Sequence, residues 1–501
     1  MSNLFDVLLG DRREPDRTAI ETPDGGRTTY ADLHAASGRM ANLLRSAGIK
    51  PGDRVTVQVE KSVENLVLYL AVLRTGAIYL PLNTAYSLAE LGYFIDDAEP
   101  ALIVCDPARR DAIAGIAAGA LVLTLGADGS GSLTAAAADQ PEDFATVPRA
   151  GDDIAAILYT SGTTGRSKGA MLTHDNLISN ARVLTDYWQF TAADTLLHAL
   201  PIYHTHGLFV ACHVMFLAGG SMVFLPKFDV DAVLDVLPRC TSMMGIPTFY
   251  TRLLQHDRLN RAATAHVRLF TSGSAPLLAD VHRQWQERTG HAILERYGMT
   301  EAGMITSNPY DGDRRAGTVG FPLPGIALRV VDAATGAELP NGEIGVLEVR
   351  GPNVFKGYWR MPDKTREEFR PDGFFITGDL GLVDERGYVH IVGRGKDLII
   401  SGGFNVYPKE VELAIDAIPG VRESAVIGLA HPDFGEGVTA VVVQEPGARL
   451  SEAAIRQALE PRLARFKQPK RVLFVDELPR NAMGKVQKAL LRERHADLYA
   501  R

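Results

Sequence analysis

Tyr159-Thr160-Ser161-Gly162-Thr163-Thr164-Gly165-Arg166-Ser167-Lys168-Gly169 follows an apolar run at 154–159 that has the length of a buried strand. Four hydroxyl side chains, Thr160, Ser161, Thr163 and Thr164, stand among glycines that let backbone N–H groups come close to a ligand, as in a loop that wraps a polyphosphate. The spacing of Gly162, Gly165 and Lys168 is G-x-x-G-x-x-K-G, not the G-x-x-x-x-G-K-[ST] of P-loop NTPases, so the loop reads as phosphate-binding of another lineage. Clusters of Ser, Thr and Gly are otherwise solvated turns. The strand in front and two spaced cations, Arg166 and Lys168, favour the phosphate reading.

At 501 residues the chain is longer than one core ordinarily supports, so two or more domains are expected. Its 46% hydrophobic and 22% charged residues are those of an ordinary globular protein. A net charge of -8 argues against a nucleic-acid partner, because binding a phosphate backbone needs basic surface. Cys105, Cys212 and Cys240 are scattered and form no C-x-x-C, which suits a reduced, cytoplasmic protein without a zinc knuckle or a disulfide frame. No secretion signal is read at the N-terminus. The run at 207–225 lacks Asp, Glu, Lys and Arg, yet Gly219-Gly220-Ser221 breaks it into a helix-length and a strand-length half, so it is expected as core and not as a membrane span.

Upstream of the loop, 54–59, 77–80 and 102–105 read as strands, and 64–75 as a helix that buries Leu66, Leu70 and Leu73. Such βα units imply a largely parallel sheet covered by helices. Residues 113–148, rich in Ala and Gly, are expected as a surface excursion. Downstream, 241–246, 267–271 and 292–295 read as strands, and the small-residue turn at 272–276 opens a helix at 277–289, where open α/β sheets bind ligands. His204 and His206 stand two positions apart, and without further ligands at a suitable spacing packing or substrate contact is favoured over metal. Beyond about residue 312, strands joined by tight turns such as Asp372-Gly373 and Arg386-Gly387 indicate an antiparallel, β-rich subdomain. The expected architecture is α/β: an N-terminal domain at 1–395 of parallel βα subdomains, with the β-rich subdomain at about 312–395, and a small α+β C-terminal domain at 396–501.

Six stretches in a fixed order, 159–169, 272–276 (Ser-Gly-Ser-Ala-Pro), 297–301 (Tyr-Gly-Met-Thr-Glu), 377–379 (Thr-Gly-Asp), 393–397 (Gly-Arg-Gly-Lys-Asp) and 479–485 (Pro-Arg-Asn-Ala-Met-Gly-Lys), resemble the adenylate-forming superfamily. That superfamily includes acyl-CoA synthetases, the adenylation domains of peptide synthetases and firefly-type luciferases. The likeness spans nearly the whole chain, and within it residues 294–304 with 268–276 look most like malonyl-CoA synthetases. The resemblance implies that a substrate carboxylate attacks the α-phosphorus of ATP, giving an acyl-adenylate and pyrophosphate, and that coenzyme A then takes the acyl group and expels AMP. A carboxylate is already ionised at neutral pH and needs no general base, so cations and hydrogen-bond donors are expected to outnumber acid–base groups.

The resemblance also implies roles. Residues 160–168, with Thr160, Ser161, Gly162, Thr163, Thr164, Gly165 and Lys168, would hold the β- and γ-phosphates; Thr300 would touch the α-phosphate and Glu301 would bind Mg2+. Ser274, Ala275, Pro276, Glu295, Arg296 and Tyr297 would form the adenine slot, with the Tyr297 ring on the base; a core tyrosine is the plain alternative. Asp379 and Arg394 match the ribose contacts. Lys485, by itself a solvated charge near a basic terminus, matches the lysine that bridges the substrate carboxylate and the α-phosphate. The C-terminal domain would be mobile, turning between half-reactions about Lys396, with Ser401, Gly402, Gly403 and Phe404 lining the path of coenzyme A.

A dicarboxylate such as malonate leaves one carboxylate unreacted, and burying it requires a cation or donors. Arg283, on the helix after the 272–276 turn, and His206 are the candidates, although Arg283 in His282-Arg283-Gln284-Trp285 also suits an exposed helix face. Malonate, with methylmalonate, is the expected substrate; a ligase for another short-chain, aryl or fatty acid stays open, as does a luciferase-type oxidoreductase. The resemblance further implies reversible acetylation at Lys485, by an acetyltransferase and a deacetylase, which would erase its charge.

Overall fold

The computed structural model describes residues 3–10, 14–160, 167–481 and 483–500. By contact the chain divides into two compact units, Met1–Ala327 with Arg350–Gly373, and Leu328–Val349 with Phe374–Arg501; residue 395 falls inside the second.

Among its described residues the first unit carries two sheets. One runs, edge to edge, Gly357–Tyr358, Lys168–Thr173, Ile154–Thr160, Ile78–Pro81, Arg54–Gln58, Leu102–Cys105 and Leu121–Thr124. Its five strands from Ile154–Thr160 to Leu121–Thr124 are parallel, as βα units require, while Lys168–Thr173 folds back antiparallel on Ile154–Thr160. The second sheet runs Phe321–Pro322, Gly303–Ser307, Leu294–Met299, Leu269–Ser272, Ser242–Gly245, Thr195–His198, Ser221–Phe224, Thr18–Glu21 and Arg27–Thr29.

Two expectations are corrected here. The helix Val63–Thr75, capped by the Ser62 side chain and closed by Gly76 at φ 71°, is buried all along Asn65–Thr75 and not only on a Leu66, Leu70 and Leu73 stripe. Its near-continuous apolar sequence marks a helix enclosed on every side. Residues 113–148 are not a mere excursion, since Leu121–Thr124 extends the first sheet in register with Leu102–Cys105. The run at 207–225 is core, resolved as a π-helix His206–Cys212, a helix His213–Ala218 and the strand Ser221–Phe224. Among the described residues no helix is long and apolar enough to cross a membrane.

The second unit contains an antiparallel four-stranded sheet, Ala327–Val331, Gly345–Arg350, Phe375–Val383 and Val389–Arg394. It also contains a five-stranded sheet built on the long antiparallel pair Val421–His431 and Gly435–Gln444. Alternation along Gly435–Gln444 serves both faces: Val438, Ala440 and Val442 pack with Val411, Ile415, Ile455 and Leu459, whereas Val441 and Val443 pack with Leu478 and Leu491. Each of these fully buried Val, Ile and Leu side chains contributes about 1.5–3 kcal/mol of transfer free energy.

Candidate active site

The strands Leu269–Ser272 and Leu294–Met299 are parallel neighbours, with Thr271 opposite Leu294 and Ser272 opposite Glu295. Parallel neighbours end at the same sheet edge, so the turn at 273–276 and residues 296–297 share a crevice of the kind where open α/β sheets bind ligands. Ser274 takes φ +69°, a left-handed backbone that a non-glycine residue adopts at a cost and that clusters at functional sites. Its hydroxyl lies 3.3 Å from His206 Nδ1, at the first residue of the π-helix. Glu295 is oriented by Leu277 N–H, which donates to its Oε1 at 3.0 Å. Ala275 and Tyr297 are half-buried, and Pro276 is exposed.

Arg296 is the unusual member of this group. It is 3% exposed, and its Nε and Nη2 have no hydrogen-bond partner among the described residues. Loss of hydration pushes its pKa down to about 9, so the guanidinium is still charged at neutral pH. His206 is also buried; loss of hydration, then the charge of Arg296, then His204 and His198 hold its pKa well below the usual imidazole range, so it is neutral. Arg283 is not brought here. It lies on the helix Ala279–Thr289, more than half exposed and ion-paired with Asp280 one turn away.

The strand Leu294–Met299 runs on past residue 295, where the sequence reading ended it. Residues 296–299 pair antiparallel with Gly303–Ser307 across a register shift, and the chain turns at Thr300, Glu301 and Ala302. An irregular hairpin of this kind re-aims side chains at its tip. Glu301 is buried there, with Thr160 Oγ1 3.4 Å and the Tyr358 hydroxyl 3.1 Å from its Oε1.

Ser161, Gly162, Thr163, Thr164 and Gly165 lie outside the described residues. Their flanks are described: Thr160 and Lys168 face each other as register partners in the hairpin of Ile154–Thr160 with Lys168–Thr173. Lys168 is 7% exposed, its Nζ 2.9 Å from Glu368 Oε1 and 4.1 Å from the centre of the Tyr358 ring. The Tyr358 hydroxyl donates to Glu368 Oε2 at 2.7 Å. Burial acts to raise the Glu368 pKa, but bonds from Lys168 and Tyr358 outweigh it and hold the carboxyl below its usual range. Sequence reasoning missed Tyr358 and Glu368, which reach the loop through a segment some two hundred residues on; the pair Glu367-Glu368 carried no signal by itself.

In the second unit Asp379 and Arg394 are cross-strand partners of the four-stranded sheet, and Arg394 Nε lies 2.6 Å from Asp379 Oδ1. Asp379 is buried; its N–H donates to Thr377 Oγ1, and Thr377 in turn donates to Leu347 O. Lys485 is presented by a tight loop. Asn481 Oδ1 accepts from the N–H groups of Met483 and Lys485, Asn481 N–H donates to Lys485 O, and Gly484 supplies φ +74°. Arg480 donates to Gly484 O and pairs with Glu423 on the strand Val421–His431. Lys485 is an exposed residue whose ammonium still loses hydration to the surrounding chain, and this, with Arg394 and Lys396 outweighing Asp379 and Asp397, lowers its pKa. Lys396 is exposed in the short 3-10 turn Gly395–Asp397, whose Asp397 pairs with Arg492 at 2.6 Å. Ser401 is buried, Gly402 and Gly403 take φ +59° and +83°, and the exposed Phe404 stacks on Phe466 with centroids 4.7 Å apart.

The family model of AMP-binding enzymes matches residues 10–359, and that of the AMP-binding enzyme C-terminal domain matches residues 410–485. The chain belongs to the AMP-binding enzyme family, and its α/β architecture is that of the adenylate-forming enzymes it resembles in sequence. Among solved structures it is similar to ATP-bound MatB from Rhodopseudomonas palustris, at 65% identity and a TM-score of 0.98, with 99% of each chain covered. Among curated relatives, a malonate–CoA ligase of Arabidopsis thaliana is 36% identical over 95% of this chain and 86% of its own length. A feruloyl-CoA synthase of Amycolatopsis sp is 38% identical over 96% of this chain and 97% of its own.

Proposed function

We propose that the protein is an ATP-dependent acid–CoA ligase that activates malonate, and methylmalonate beside it, through an acyl-adenylate, releasing pyrophosphate and then AMP. The observation that carries the choice of acid is Arg296, a buried guanidinium beside His206 and Ser274 with Nε and Nη2 unmatched among the described residues. A buried cation without a counter-ion is costly, and an anionic group that arrives there offsets the cost. The second carboxylate of malonate is such a group. An aryl or fatty acid brings no charge to that place and leaves the guanidinium uncompensated. In this reading Arg296, and not Arg283, meets the remote carboxylate, with His206 as its neutral neighbour.

In the first step an oxygen of the reacting carboxylate bonds to the α-phosphorus as the bond to the pyrophosphate oxygen breaks. Lys485 supplies the cation that lowers the repulsion of these two anions, and Thr300 donates to the α-phosphate. The backbone of residues 161–165, with Thr160 and Lys168, receives the outer phosphates. Ser274, Ala275, Pro276, Glu295 and Tyr297 receive the adenine, Arg296 of the expected adenine slot being given to the remote carboxylate instead; Asp379 and Arg394 receive the ribose. Glu301, a buried carboxylate beside two hydroxyls, offers the hard oxygen donors that suit Mg2+, which would neutralise phosphate charge when bound. In the second step the thiol of coenzyme A loses its proton to water, its sulfur bonds to the acyl carbon, the acyl–phosphate bond breaks and AMP leaves. Gly402 and Gly403 allow close approach of the pantetheine beside Ser401 and Phe404, and Lys396 is the pivot between steps. Acetylation of Lys485 would block the first step.

The test is the formation of AMP and acyl-CoA from ATP, Mg2+ and coenzyme A over a panel of malonate, methylmalonate, acetate, butyrate and ferulate. Malonate is expected to show the highest kcat/KM. A higher value for acetate, butyrate or ferulate overturns the reading.

A further inference from the structure

Lys168 and Glu368 are 200 positions apart in the chain and 2.9 Å apart in space. The carboxylate of Glu368 is shared: Oε1 also lies 3.2 Å from Lys364 Nζ, and Oε2 accepts from the Tyr358 hydroxyl. That hydroxyl also lies within hydrogen-bond distance of Glu301 Oε1. A phenol carries one proton, so Tyr358 serves one of the two carboxylates at a time. Glu368 follows directly on the helix Pro362–Glu367, which Pro362 starts, so the carboxylate is offered from the end of a short fixed element.

We propose that Glu368 is a positioning residue for nucleotide binding: it fixes the ammonium of Lys168 beside the phosphate loop and, through Tyr358, ties that ammonium to Glu301. The inference rests on the reading of Lys168 as a phosphate contact. A lysine side chain gives up much rotamer freedom when a ligand immobilises it. Glu368 and the face of the Tyr358 ring have already removed that freedom. Lys364, 3.2 Å from the same Oε1, and the Tyr358 hydroxyl on Oε2 hold the Glu368 carboxylate in this place.

The experiment titrates α,β-methylene-ATP with Mg2+ into the full chain by calorimetry, with no acid present. E368A and E368Q are each expected to raise Kd about tenfold, as expected for loss of a charge-assisted hydrogen bond. K168A is expected to weaken binding to a similar extent, and K168A/E368Q to match K168A alone, because Glu368 acts through Lys168. E368Q preserves the shape of the side chain and keeps the cycle interpretable should E368A fold poorly. A Kd for E368Q within about twofold of wild type, or effects that multiply in the double variant, overturns the proposal. Since no acid is present, failure to activate malonate would leave this result standing, whereas failure of the wild-type chain to bind the nucleotide overturns both readings.

Discussion

A Cβ placed on Gly273 would lie 2.3 Å from the guanidinium carbon of Arg296. The absence of a side chain at 273 is therefore what lets the guanidinium lie in the crevice, and Arg296 is too buried to swing aside. Gly273→Ala is expected to raise KM for malonate about tenfold while leaving KM for ATP nearly unchanged, and steady-state kinetics in each substrate separates the two.

Arg296→Leu removes the charge proposed to meet the remote carboxylate. Its kcat/KM for malonate is expected to fall about a hundredfold to a thousandfold, the usual cost of leaving one partner of a buried charge pair alone. Turnover of butyrate should fall far less or rise. Equal losses for malonate and butyrate in a substrate competition would show that Arg296 only supports the fold.

Arg283→Ala is expected to change kcat/KM for malonate by less than about twofold, because an exposed pair with Asp280 contributes little. Parallel assays on malonate and acetate check this.

Lys485→Ala is expected to slow adenylate formation about a hundredfold or more, and to spare thioester formation from synthetic malonyl-adenylate. Lys396→Pro should do the reverse, since a fixed φ removes the pivot assigned to that position. Rapid-quench measurement of the two half-reactions distinguishes them, and equal damage to both in either variant would falsify the corresponding role.

Acid should destabilise the protein through its buried histidines. Loss of hydration pushes the pKa of His174 down to about 4 and that of His213 to about 3, from 6.5. Between those values and 6.5 the unfolded chain binds protons that the folded chain refuses, so the contribution of these two histidines to stability rises with pH across this window and is flat above it. Each group contributes a slope approaching about 1.4 kcal/mol per pH unit. Urea midpoints at pH 7 and pH 5 are expected to drop on acidification, and His213→Gln, which can still bond the Tyr69 hydroxyl 2.7 Å away, should reduce the drop.

Much of this was legible in the chain. Strand periodicity with glycine punctuation located the parallel strands and the β-rich region, because those signals are local. The helix Val63–Thr75 was read as one-sided because a period was sought in a segment that is buried all along Asn65–Thr75 and apolar from Leu66 to Leu73. Leu121–Thr124 escaped notice among Ala and Gly because its place is decided by its neighbour Leu102–Cys105. The site divided in the same way. Glu301, Asp379 and Lys485 stand in motifs with a local signature, whereas Glu368 meets Lys168 only through tertiary folding. Arg283 and Arg296 are both arginines near one turn, and what separates them is accessibility, which no spacing reports.

The clamp on residues 480–485 is made by the Arg480 guanidinium, the Asn481 amide and the backbone of Gly484, and the terminal amine it displays takes no part in these bonds. Scaffold and reagent are thus separable in this corner of the molecule. On the role proposed for Lys485, a small covalent cap on that amine is expected to stop adenylate formation while leaving the melting behaviour unchanged, and removal of the cap to restore it without any refolding.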